Sequence, residues 1–375
     1  MGLTSQDQRV GEMRRVFRYL KRGVFPPDWI DEFTFGRKAT LDAIDSRLEE
    51  VKCGSSRHAF VEGSYGRGKS HVLKAVESIA LRKGFAVSWV TLDGMNHACN
   101  HPTRYFHSFL ENLRAPQSHA RGLSSLVKRW IKEDRATAVV TWARQFAPWW
   151  LGYPILQFLK CPEAIEDDDH NLNSILESRD IMHRDGRLWF DRVAQRMDAT
   201  ADLSCVAGFS GVVYLFDELE TVATLLSSVR QRLLSYEFLN LLIDGRKHPH
   251  CFFVFAATPD FDRRVRADKE CQQWYTSDYP EGCRFIQKWC DSSIDLMQLR
   301  KLTRSDITDV CHRLRACHEE AFNWNVRESI SDHVIDRFVH KAESLDMGIR
   351  ETIKSFVHLL EVGEQHRNAD TIIKI

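Results

Sequence analysis

Eight consecutive residues, Gly63-Ser64-Tyr65-Gly66-Arg67-Gly68-Lys69-Ser70, fit the pattern G-x-x-x-x-G-K-[ST], in which every fixed position has a chemical task. The glycines let backbone N–H groups turn inward around a phosphate with no Cβ in the way. Lys69 supplies a point charge to β- and γ-phosphates, and the Ser70 hydroxyl suits Mg²⁺. The helix that follows points its N-terminal dipole at the anion. The pattern therefore predicts a nucleotide as ligand, with Gly63, Ser64, Tyr65, Gly66, Arg67, Gly68, Lys69 and Ser70 around its phosphates.

A second chemical signature lies downstream. Gly211-Val212-Val213-Tyr214-Leu215-Phe216-Asp217-Glu218 is an apolar run ending in two acids. A buried parallel strand of this kind delivers Asp217 at its C-terminal end, where it can share the Mg²⁺ with Ser70. Glu218 is then placed to orient and activate the attacking water. A third run, Cys251 to Pro259, ends in Thr258 and a proline that stops the strand.

The elements that must hold these groups can be read around them. His58 to Glu62 reads as a buried strand before the loop, and Val72, Leu73, Ala75, Val76, Ile79 and Ala80 recur at helical spacing after it. Phe85 to Asp93 reads as another strand, its final acid on the nucleotide side, and Ile294 to Leu299 as the last core strand. Arg14 to Leu20 and Ala39 to Leu48 read as helices separated by Pro26-Pro27. Thr303 or Ser305 is expected to cap a helix beginning near Arg304, and Asp346 to Ile353 opens a terminal one. Strands alternating with helices indicate an α/β fold with a parallel sheet.

The segment from Gly94 to Ser210 is far longer than an ordinary connection. Tyr105 to Leu113 is helical in pattern, Lys128 to Leu159 is rich in tryptophan (Trp130, Trp142, Trp149, Trp150) among basic residues, and Glu166 to Asp169 is an acidic turn. Aromatics among cations suit single-stranded nucleic acid, but the core of a helical domain is the preferred reading.

Composition narrows the class. The chain has 375 residues, room for two or three domains, with 52 Lys+Arg balanced by 52 Asp+Glu. That balance excludes a globally basic nucleic-acid binder but not a local basic face. No apolar run reaches the length of a membrane span, the N-terminus lacks a secretory signal, and Gly2 is a poor myristoyl acceptor because Gln6 stands where Ser or Thr is needed. The ten cysteines form no C-x-x-C pair and read as reduced thiols of a cytoplasmic protein. His97-Ala98-Cys99-Asn100-His101, and Cys311-His312 with Cys317-His318, have poor spacing for a closed metal site.

Together these pieces resemble an AAA+ ATPase of the initiator-like branch and, more narrowly, the BREX-system ATP-binding family of phage-defence ATPases. The resemblance is carried by Gly23-Val24-Phe25-Pro26, Phe35-Gly36-Arg37, the loop at 63–70, Leu215 to Glu220 and Ala257 to Phe261. It covers roughly residues 10–95 and 205–360 and leaves the middle unassigned. It implies an AAA+ P-loop NTPase with a parallel-sheet core, a long helical insertion and a C-terminal helical lid. Its boundaries are an N-terminal helical segment at 1–50, a core at 51–300 with an insertion at about 94–210, and a lid at 301–375. It also implies roles: Thr258 as the sensor of the γ-phosphate or water, Arg350 as a second sensor, and an arginine acting in trans. For the last, Arg263, Arg264, Arg266 and Arg284 qualify. Arg284 is preferred, against a plain surface pairing with Asp278 or Glu281. Phe35-Gly36-Arg37 would lie near the adenine or simply turn into the next helix. Implied partners are further copies of the chain and other defence-system proteins, with DNA allowed and no membrane.

The expected function is thus an ATP-hydrolysing switch or motor in a bacterial phage-defence system, on or near DNA. A regulator of transposition or replication would share every core motif. A non-hydrolysing nucleotide-gated scaffold is the reading from another class, and the intact Asp217-Glu218 pair weighs against it.

Overall fold

Five short apolar runs become strands: β1 (Arg57–Glu62), β2 (Ala86–Thr91), β3 (Val212–Asp217), β4 (Cys251–Ala257) and β5 (Leu296–Gln298). Each falls within a residue or two of the run that suggested it. In the computed structural model they form one all-parallel sheet in the order β2-β3-β4-β1-β5. The structure describes residues 5–24, 29–95, 97–116, 118, 121–123, 127, 136–147, 152, 155–156, 186–244 and 248–366. Pro26-Pro27, Trp130, Trp149, Trp150 and the acidic run 166–169 lie outside them.

Every residue of β3 and β4 is buried, which explains why these strands read as continuous apolar runs and not as alternating ones. Register is reinforced by stacked rings on one face. Phe60 of β1 stacks on Phe255 of β4 at 4.6 Å, and Phe255 stacks on Phe216 of β3 at 4.7 Å. These are register partners, Phe60 with Phe255 and Phe255 with Phe216. The ladder therefore aligns the three strands whose C-terminal ends precede the loop, the acid pair and Thr258.

The chain divides into two compact units. One comprises Asp42–Glu62 and Ile79–Gln298 and holds the sheet. Helices Val229–Leu242, Pro259–Asp268 and Pro280–Cys290 cover it, as does Gly186–Val206, whose Met197 carbonyl accepts the Tyr214 hydroxyl at 2.9 Å. Further helices at Pro102–Glu111 and Ala136–Gln145 belong to the long segment after β2. Trp142 is buried in this core.

The other unit comprises Met1–Leu41, Gly63–Ser78 and Leu299–Ile375. Its core is built from Ser5–Lys21, Arg304–Phe322, Asp332–Ser344 and Ile349–His366, through residues such as Phe17, Leu314, Val339 and Phe356. Thr303 caps Arg304–Phe322 in a reciprocal capping box with Asp306. Helix Ser5–Lys21 is closed off at Gly23, whose φ of +71° allows the paired closing bonds from the Gly23 N–H to Leu20 and from the Val24 N–H to Tyr19.

Candidate nucleotide site

The phosphate loop continues β1 directly: Gly63 follows Glu62, and helix Lys69–Arg82 begins at the motif lysine. Gly66 and Gly68 have φ of +76° and +88°, the left-handed conformation that the pattern reserves for glycine. Lys69 is 7% exposed, and its ammonium lies 5.0 Å from the centre of the Tyr65 ring. Tyr65 thus packs against the very charge that the loop presents.

Sequence reading undervalued Arg37. It is buried, and its guanidinium donates at 2.7 Å to the Arg67 carbonyl of the loop and at 2.7 Å to the Arg300 carbonyl. Arg37 therefore fixes the loop's backbone. Gly36, at φ +65°, lets the turn pass Asp306, since a Cβ there would fall 2.6 Å from the Asp306 carboxyl carbon. Burial, then the Arg300 charge, pushes the Arg37 pKa down, with Arg67 adding to it and Asp306 opposing. Positive charge is thus concentrated at the loop, a condition that a bound anion relieves.

His71 was also missed, because nothing in the motif specifies the residue after Ser70. Burial first, then Arg37 and Lys74, lower its pKa to about 4, so its ring is neutral at pH 7. Thr34 donates its hydroxyl proton to the Ile30 carbonyl at 2.7 Å, which leaves its oxygen to accept from His71 Nε2 at 2.8 Å. This pair fastens the first turn of the loop's helix. Arg350 is exposed, and its stem crosses Gly23: a Cβ at Gly23 would lie 2.8 Å from Arg350 Cγ.

In the sheet unit, Asp217 closes β3 buried, with its Oδ1 accepting the Glu218 N–H at 3.0 Å. Glu218 has φ of +60°, a costly conformation for a residue with a Cβ. It is held there by Leu219 N–H on the Ala256 carbonyl at 3.0 Å and Thr221 N–H on the Glu218 carbonyl at 3.0 Å. The turn thus fixes the direction of the glutamate, which remains partly exposed.

Thr258 is the N-cap of helix Pro259–Asp268, yet its side chain makes no capping bond. Its Oγ1 is buried, at 1% residue exposure, with no hydrogen-bond partner among the described residues. A threonine that merely closed a strand would normally cap the helix. Glu62, at the end of β1, has a raised pKa, chiefly from burial and then from Asp262.

Arg284 is exposed and bonds both Glu281 oxygens, at 2.7 and 2.8 Å, the pairing named beforehand as its plainer role. Arg263 pairs with Asp260 and Arg266 with Asp262, whereas Arg264 has no ion pair among the described residues. Asp93 builds a turn by accepting the Met95 and His97 amides at 2.9 and 2.7 Å. Among the described residues no three His, Cys, Asp or Glu side chains gather as a metal cluster, and every described cysteine is a free thiol.

The unit that holds the loop carries left-handed glycines, a buried lysine and the serine after it, groups that suit a triphosphate, and the sheet unit carries a fixed acid pair, which suits a divalent cation, and a buried hydroxyl with no partner among the described residues. A parallel α/β sheet with such a loop after its first strand defines a nucleotide-binding class of fold. The chain belongs to the BREX system ATP-binding protein family BrxC/D, whose family model matches residues 9–144 and 188–374. No curated protein matches the chain. The described helices include none long and apolar enough to cross a membrane.

Proposed function

We propose that the protein binds and hydrolyses ATP as an AAA+ switch or motor of a BREX phage-defence system. Family membership supports ATP as ligand and other proteins of the same defence system as partners. The strand order, with β1 between β4 and β5 and β3 beyond β4, supports the AAA+ reading. The observation that carries hydrolysis is the state of Glu218 and Thr258. One is a glutamate held in a strained turn beside a buried aspartate, and the other is an orphan hydroxyl closing the neighbouring strand.

In this reading the loop amides and Lys69 hold the phosphates, and Arg37 keeps the loop in shape. Ser70 and Asp217 would hold Mg²⁺, which neutralises phosphate charge and orients the terminal group. Glu218 accepts a proton from the attacking water and aims its oxygen. Thr258 donates its hydroxyl to the same water or to the γ-phosphate oxygen, which gives the orphan group its partner. Arg350 reaches the nucleotide from its own chain, and Arg284 from a neighbouring copy, which makes the active form an oligomer. Work on or near DNA, in the cytoplasm, follows from the AAA+ resemblance; particle images with and without DNA and nucleotide test both assembly and DNA.

The nucleotide assignment is tested by titrating Mg·ATP calorimetrically into the Lys69→Ala variant. Loss of the buried charge is expected to weaken binding at least about tenfold. Unchanged affinity overturns the assignment.

A further inference from the structure

Helices Asp332–Ser344 and Ile349–His366 each carry two apolar stripes. One stripe is used by the fold: Ile335 and Val339 of the first helix and Ile353, Phe356 and Leu360 of the second are buried in one core. The second stripe is only partly consumed: Val334, Phe338 and Leu359 sit half-buried at the edge of that core, the Phe338 ring 5.1 Å from that of Phe356. It runs along Val334, Phe338 and Leu345 on the first helix, and Leu359 and Val362 on the second. Between them lies a groove of about 470 Å³. Leu345, at its edge, is 62% exposed. A helical hairpin needs only one stripe to fold, so a second that lines an open groove is a surface for something else.

The charges around the groove say what kind of thing. Arg337, Lys341, Lys354 and His358 line it, and no carboxylate does. None of the four makes an ion pair among the described residues. The basic edge continues through His333 and His340 of the first helix and through Arg304, which opens helix Arg304–Phe322; the one acid lining that stretch is Asp336, 3.9 Å from Arg304. In a chain with equal numbers of acids and bases, this is a local excess of one sign.

We propose that this groove docks an amphipathic helix of a partner protein, with its apolar stripe on the floor and Asp or Glu flanking it against the basic rim. Helix-in-groove recognition requires this combination: anchors spaced every three or four residues, and flanking charge of the opposite sign. A second copy presenting the same face is opposed by like charge. The inference does not depend on ATP hydrolysis.

The probe is a fluorescein-labelled helical peptide of about 16 residues, with leucines at i, i+3, i+4 and i+7 and glutamates on the flanks, and a control with lysines in their place. Fluorescence polarisation on the full chain should show saturable binding of the acidic peptide, at least about tenfold tighter than the basic one and weaker in high salt. Leu345→Glu, and Arg337→Glu with Lys341→Glu, should each weaken it at least about tenfold. These positions are exposed, so Tm and ATP affinity should stay at wild-type values. Equal binding of the two peptides, no saturable binding, or full binding by the variants overturns the proposal. So does a single-stranded oligonucleotide whose binding the same variants abolish while the acidic peptide stays silent, because the groove would then serve nucleic acid.

Discussion

Thr258→Val should make the protein more stable and less active. The threonine hydroxyl is buried, has no partner among the described residues and does not cap its helix. A buried hydroxyl left unpaired costs about 1–3 kcal/mol in protein contexts. Valine replaces that oxygen with a methyl of similar size, and no capping bond is lost because none exists. Stability should therefore rise by about 1 kcal/mol, which corresponds to about 2–4 °C in Tm for a unit of this size. If the hydroxyl serves the reacting water or γ-phosphate, turnover should fall about a hundredfold, the usual loss for one transition-state hydrogen-bond donor. ATP affinity should stay within about threefold, since the interaction strengthens only as charge develops. Scanning calorimetry and a phosphate-release assay on the same preparation give both readings. A fall in Tm shows that the hydroxyl has a structural partner. Wild-type turnover shows that it has no catalytic one. Either result refutes the reasoning.

Three further outcomes are expected. Arg37→Ala removes two bonds from a charged donor and should lower ATP affinity about 10- to 100-fold, with Phe255 and its sheet unaffected by near-ultraviolet circular dichroism; unchanged affinity would mean that the loop holds its own shape. His318, fully buried and hydrogen-bonded at Nδ1 by Trp324, has a pKa lowered to about 4 by burial and then by Lys21, so the unfolded chain binds more protons between pH 6.5 and 4. Its stability contribution is complete above pH 6.5 and is lost as pH falls, about 3 kcal/mol in all; Tm should drop between pH 7 and 5, less so in His318→Gln, with identical pH dependence as the opposing result. Mixing Arg284→Ala with Lys69→Ala subunits should restore part of the ATPase activity, because some interfaces then pair an intact loop with an intact arginine. The Glu281 pair is exposed and worth about 0–1 kcal/mol, so Arg284 can exchange it; no recovery from folded, co-assembled mixtures counts against Arg284, and Arg264→Ala is the comparison to make.

All five strands were legible, because buried parallel strands are short apolar runs bounded by turn residues, and β3 and β4 are such runs. The loop was legible because phosphate chemistry fixes its residue types. The cap was legible only as Thr303 or Ser305; the capping box with Asp306 decides for Thr303. What remained hidden depends on distance in sequence. The Arg37 clamp joins residues 30 and 263 positions away, and neither acceptor is a side chain, so no pattern announces it. Arg232 was hidden for a different reason: its main partner is the Asp268 carboxylate, 36 residues away, which it grips at 2.7 and 2.8 Å while also donating to the Leu226 and Ser227 carbonyls. Four helices between 221 and 290 were not read: Val229–Leu242 is apolar on most sides, whereas Pro280–Cys290 does carry an apolar stripe (Cys283, Phe285, Ile286, Trp289) that could have revealed it. The strain at Glu218 has no sequence signal, since glutamate is not expected at positive φ.

The central claim, that the protein hydrolyses ATP with Glu218 activating the water, is tested most directly in Glu218→Gln. This substitution keeps the shape of the turn and removes the base. Binding and phosphate release should be measured together on the same samples. The account predicts wild-type affinity for Mg·ATP with turnover lower by about a hundredfold or more. Wild-type turnover in this variant, at unchanged affinity, would contradict it.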